Sequence, residues 1–191
     1  SWNALMIGGM AHAARVFARP AWLASARGAL DFVRSTMWTD DRLLATHKDG
    51  RTHLNAYLDD HAFLLAALLE VMQADFRADD LAWAEALGDA LLDAFQDPAD
   101  GGFFFTSHDH ERLIHRPKPG HDNATPSGNG VAAWALNRLA FLSGETRFRL
   151  AAEGEQTQVA LFVDRLAERR IFEALGRIVE PGEDGQRVAE G

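Results

Sequence analysis

Two kinds of helix take turns along this chain, and that alternation restricts the folds open to it. Over Trp2–Phe17, Leu5, Met6, Gly9, Ala13 and Val16 form one stripe, and Ala4, Ile7, Ala11 and Ala14 make most of the remaining surface apolar. A helix apolar all round is expected to be buried on all sides. Ala21–Trp38 carries a single stripe, Trp22, Ala26, Ala29, Leu30, Val33 and Met37, with Arg27, Asp31 and Arg34 opposite. It is expected at the surface. Ala56–Ala74 is again apolar over most of its circumference, Leu81–Phe95 sets Glu85, Asp89 and Asp93 against an apolar side, and Gly128–Leu142 returns to the buried type. Pairs of inner and outer helices are the repeat that an α/α toroid or α-solenoid needs, because each pair buries its face on its neighbours. The expected class is all-α, part of an (α/α)6 toroid of about three hairpins, in a segment covering residues 1–152.

The connections support a ring. Links from inner to outer helix are short, "ARP" at 18–20 and "DFRADD" at 75–80, whereas the links at 39–55 and 96–127 are long. Long ordered loops gathered at one end of a stack usually carry function. Within them, "DRLLATHKDGRTHLN" and "GGFFFTSHDHERLIHRP" each read as a β-hairpin. If the inner helices run parallel, their N-termini converge on one depression, where dipole ends and free N–H groups suit the hydroxyls or carboxylate of a polar ligand.

Seven of the eight histidines, all but His12, lie in these links or in the first turn of the helix that follows. In "NAYLDDHAF", Asn55 is a candidate N-cap, and Asp59 and Asp60 complement the helix dipole. Asp60 with His61 could also serve as a general acid/base pair, and Tyr57 stands beside them as a ligand-binding candidate. In "HRPKPGHDNATPSGNG", Pro126 and Ser127 or Asn129 explain a stiff, capped helix start. His115, Arg116, Lys118, His121, Asp122 and Asn129 remain candidates for a ligand, with Trp2 and Asn3 at the start of the first inner helix. His121 and Asp122 join Asp60 and His61 as catalytic candidates. His108-x-His110 lacks a spaced third ligand, no phosphate-loop spacing surrounds Gly128 and Gly130, and so neither metal nor cofactor is expected.

Bulk properties bound the rest. A chain of 191 residues with 47% hydrophobic and 25% charged content can bury one core. The formal net charge of −9 repels phosphate backbones, so nucleic acid is not an expected partner. No run approaches the length of a bilayer span and no signal-peptide pattern opens the chain, so no membrane is expected. Cysteine is absent, which excludes thiol chemistry and agrees with a cytoplasmic location. The sequence lacks an initiating Met, as a fragment or a processed piece would.

Four ordered motifs, "WNALMI" at 2–7, "YLDDHAFLLAALLE" at 57–70, "DPADGGFFFT" at 97–106 and "DNATPSGNGVAAWALNRLA" at 122–140, resemble the C-terminal toroid region of large thioredoxin-domain proteins of the spermatogenesis-associated thioredoxin-like family. The resemblance spans about residues 1–150. It implies a six-hairpin toroid similar to that of N-acylglucosamine 2-epimerases and cellobiose epimerases, preceded in that family by a thioredoxin-like domain that is expected to be absent here. Epimerases of this fold use two histidines as acid and base, and His61 with His121 or His115 are the counterparts by location. The expected function is a sugar- or polyol-binding module from an epimerase-like carbohydrate enzyme. The alternatives are a non-catalytic structural module and a six-hairpin glycoside hydrolase, which would need Asp60 and Asp122 across one pocket. From about residue 153 the pattern departs, with short amphipathic helices expected to 179 and a mobile tail over 180–191. Half a ring leaves the flanks of its end helices bare, so a homodimer or a missing partner segment is expected.

Overall fold

The computed structural model describes residues 1–111 and 113–153. Six helices and a small sheet follow in the order α1 (Trp2–Val16), α2 (Pro20–Met37), β1 (Trp38–Thr39), β2 (Arg42–Lys48), β3 (Arg51–Asn55), α3 (Leu58–Ala74), α4 (Ala78–Phe95), α5 (Gly128–Ser143) and α6 (Thr146–Glu153). The divergent helices and tail expected beyond Glu153 lie outside the described residues.

Helices α1, α3 and α5 form an inner row, with α3 packed between the other two, and each is paired with the outer helix that follows it. α3 realises the buried type: Leu58, Ala62, Leu65, Leu68 and Val71 are all fully buried. Each Leu so placed contributes about 1.5–3 kcal/mol relative to exposure. Its accessible residues past the first turn are Ala66, Glu70, Gln73 and Ala74, a single stripe. Glu70 ties the inner helices together there, accepting from Arg138 of α5 at 3.1 Å and from Arg15 of α1 at 3.3 Å, with His12 Nδ1 at 3.4 Å. Gly88 of α4 lets the outer row close up, since a β-carbon there would come 2.7 Å from the Phe148 ring and 2.8 Å from Leu139.

Three helices depart from the pattern expected of them. α1 buries only Ala4, Ile7, Ala11 and Ala14, and its opposite stripe, including Trp2 (69% exposed), Met6 and Val16, is bare. It is an inner helix with a neighbour on one side only, so half its apolar surface finds nothing to pack on among the described residues. α5 likewise exposes Phe141 and Leu142. On α2 the buried face is Ala26, Arg27 and Leu30, while Trp22 and Ala29 are exposed. Arg27, expected in solvent, bonds Asp80 at the start of α4 and the Asp75 carbonyl, at 2.7 Å for the latter. The ion pair offsets part of the desolvation cost that would otherwise keep an arginine outside.

The first long link folds as expected. β2 and β3 are antiparallel with Lys48 opposite Arg51, joined by Asp49–Gly50, both at positive φ as a two-residue hairpin turn requires. β1 adds a third strand through the Asp40–Asp41 turn. The second link forms no hairpin: among the described residues it contributes one isolated bridge, Gln96 to Phe103. Its backbone is satisfied piecemeal instead, Phe104 N–H by the Phe95 carbonyl, Phe105 N–H by Pro117 and the Phe105 carbonyl by Leu58 N–H. No helix among the described residues is long and apolar enough to cross a membrane.

Candidate functional site

The inner helices start at one end of the molecule, as the convergence argument requires. The amino group of Ser1 bonds Asp60 Oδ1 at 2.7 Å, joining the starts of α1 and α3. Asp59 lies against Gly128, joining the starts of α3 and α5: a β-carbon at position 128 would come 3.1 Å from Asp59 Cγ and overlap its Oδ1. Only glycine lets the α5 backbone approach so closely. Burial, with the neighbouring Asp60 charge added, raises the Asp59 pKa, and Oδ1 has no hydrogen-bond partner among the described residues.

Most candidates from the sequence are engaged in holding this end together. The first residue before α3 is Tyr57 rather than Asn55, and Asp60 accepts from Tyr57 N–H at 2.9 Å. Tyr57 stacks on Phe105, ring centroids 5.0 Å apart. Asn129 is buried, receives Phe103 N–H at 2.7 Å and donates to the Phe103 and Pro119 carbonyls at 2.9 and 3.1 Å. It clamps the second link, while Ser127 caps α5. Asp122 accepts from Ser127 N–H at 2.9 Å. Lys118 donates to Asp97 at 2.7 Å and to the Gly101 carbonyl at 3.0 Å. That bond, with the Ala99 N–H, holds the Asp97 pKa down to about 2. Arg116 donates to the Thr106 carbonyl at 2.5 Å and lies over the Phe104 ring. Trp2, Asn3, His115 and His121 are exposed, and among the described residues neither of these histidines has a hydrogen-bond partner.

His61 takes a different direction from its neighbours. It is 4% exposed, its ring tilts against Phe95 at 4.9 Å, and it lines an open cleft of about 530 Å³. Asp40–Leu43 and Asn55–Ala56 form one wall, Ala86 to Phe95 of α4 another, and Ser107–Asp109 a third. Asp60, His121 and Asp122 are not among its lining residues. His61 Nδ1 lies 3.0 Å from the Tyr57 carbonyl. A carbonyl only accepts, so Nδ1 carries the proton and Nε2 presents a lone pair, without a partner among the described residues. Burial holds the imidazole below its ordinary pKa against the opposing pull of the Tyr57 bond and of Asp60, with Arg42 adding to the depression. The neutral form is favoured.

The other cleft histidine is spent: His108 Nε2 donates to the Gln96 carbonyl at 3.0 Å, which leaves Nδ1 to accept from Arg116 at 3.2 Å. The remaining cleft residues, Asp40, Asp41, Asp89, Asp93 and Asp109, were legible in sequence only as a turn and as the polar face of an outer helix. Their one local signal is spacing, since Asp89 and Asp93 fall on the same helical face. Among the described residues, no group of three or more histidine or acidic side chains is placed to hold a metal ion.

No protein-family model matches the chain. It is 30% identical over 155 residues to spermatogenesis-associated protein 20 of Mus musculus and, to the same degree, of Homo sapiens. The match covers 75% of this chain and 20% of each relative, so the chain spans about a fifth of the length of the curated relatives it matches. Its fold is similar to that of cellobiose 2-epimerase from Spirochaeta thermophila DSM 6192, with a TM-score of 0.62 at 22% identity, over 85% of this chain and 42% of that one. The chain is therefore homologous to a segment of spermatogenesis-associated protein 20 and folds as part of an α/α toroid, in agreement with the resemblance carried by its four motifs.

Proposed function

We propose that the chain is a sugar- or polyol-binding toroid module whose ligand occupies the cleft over His61. The observation that carries this reading is the open Nε2 lone pair of a buried, neutral imidazole on the wall of a cleft of ligand size. A sugar hydroxyl donates to Nε2, and the Asn55 side chain and the cleft carboxylates accept its neighbours. The bare flanks of α1 and α5 fit the same reading, as the surfaces on which a second copy or the rest of a closed ring packs. A two-histidine exchange of the epimerase kind needs a second open imidazole, and both nitrogens of the other cleft histidine, His108, are engaged. The reading proposed is therefore one of binding.

A structural module is the second reading, favoured by the commitment of Asp60, Arg116, Lys118, Asp122 and Asn129 to partners within the chain. Titration calorimetry with cellobiose, glucose and sorbitol separates the two. Saturable binding that weakens at least about tenfold in Asn55→Ala and His61→Gln, with unfolding midpoints kept, supports a ligand site. The absence of saturable heat with every sugar leaves the structural reading.

A further inference from the structure

Most donor side chains of the cleft are committed within the chain, the Asn55 amide excepted. Arg42 is paired with Asp109, Ser107 Oγ donates to Asp109 at 2.7 Å, and both His108 nitrogens are engaged. Asp89 is paired with Arg147 at 2.7 Å. Open acceptors are left over: Asp40, Asp41 and Asp93 have no cationic or hydrogen-bonding side-chain partner among the described residues, and His61 Nε2 joins them from a side chain more than nine-tenths buried. A neutral polyol offers one donor per hydroxyl and no charge to offset three carboxylates. An ammonium group offers three donors and a positive charge from one atom.

Building on the proposed sugar or polyol site, we infer that the natural ligand of the His61 cleft is an amino-polyol, its ammonium group attracted by the open carboxylates that line the cleft, Asp40, Asp41 and Asp93, and a hydroxyl bonded by His61 Nε2. Carboxylates around a low-polarity cleft wall raise the local concentration of cations and exclude anions. The site therefore discriminates against sugar phosphates and uronates, whose charge would face these carboxylates.

Calorimetry with glucosamine, glucose and N-acetylglucosamine tests this, at a pH where the free amine is protonated. The three share a ring and differ in the substituent at one carbon, which is charged only in glucosamine. Glucosamine is expected to bind at least about tenfold more tightly than the other two, with a preference that shrinks as salt is added. Asp93→Asn and Asp41→Asn are expected to reduce the glucosamine affinity more than the glucose affinity, so that the preference for glucosamine shrinks. Equal affinity for glucose and glucosamine overturns the inference but keeps the sugar site. Binding of none of the three overturns both. Retained preference in the Asp41→Asn/Asp93→Asn double variant also overturns it, because the ammonium would then be held elsewhere.

Discussion

Asp59 and Gly128 share one small volume: the carboxylate of the first fills the space that a side chain on the second would need. The starts of two inner helices are thereby set at a spacing that a side chain at position 128 would not allow. Gly128→Ala is expected to cost about 1–3 kcal/mol, the usual range for forcing an extra methyl into a packed site. In an Asp59→Ala background the same substitution should cost much less. A double-mutant cycle read from urea unfolding measures the difference, and additive effects would show that the two residues do not compete.

The Arg27–Asp80 pair fastens the outer helices α2 and α4, and both side chains are buried. Asp80→Ala leaves Arg27 charged with only Asp75 near it, at a half-exposed position. The expected loss is about 3–5 kcal/mol, as for other buried pairs broken on one side. Replacing both partners with apolar residues of similar volume, Arg27→Met with Asp80→Leu, should recover most of it. Chemical denaturation of the three variants checks the order.

Asn129 supplies three hydrogen bonds that stand in for the missing strand pairing of the second link. Asn129→Ala strands the Phe103 N–H and carbonyl in a buried place, at about 1–3 kcal/mol. Amide exchange over residues 101–120 is expected to accelerate, with α3 unchanged. Asn129→Asp should restore the bond from Phe103 N–H while losing the two that depend on the amide nitrogen.

The depressed His61 pKa makes a prediction about pH. Its unfolded value is near 6.5 and its folded value is lower, so below 6.5 the unfolded chain takes up a proton that the folded chain resists. The stability His61 supports is present above pH 6.5 and is lost as pH falls through the folded value. Asp97 acts further down, losing its contribution only as pH falls from 3.8 through about 2. Glu70 loses its contribution only below 4.5: burial works against it, but the Arg138 hydrogen bond and nearby Arg15 hold it under that ordinary value. A His61→Gln variant should lose the decline that begins near 6.5 and keep the acid limb of the carboxylates. Urea midpoints across the pH range give the comparison, and an unchanged profile would place the upper titration elsewhere.

The helices themselves, their alternation and the cap of α5 were legible in the chain because they depend on neighbours within four residues. The 3.6-residue period separated α3 from α4, Asp49–Gly50 announced the hairpin, and Ser127 marked the start of α5. The destination of each polar side chain was not legible, because it depends on partners far along the chain. Asp59, Asp60 and His61 are consecutive, and a helix turns about 100° per residue, so one faces Gly128, one the start of α1 and one the cleft. Arg27 reads as a surface residue until Asp80, 53 positions away, is brought to meet it. The sequence by itself determined an arc of parallel inner helices with its loops at one end. Only the tertiary structure decided which polar groups there are consumed by one another and which, His61 first among them, are left facing open space, since burial and partner supply exist only once distant segments meet.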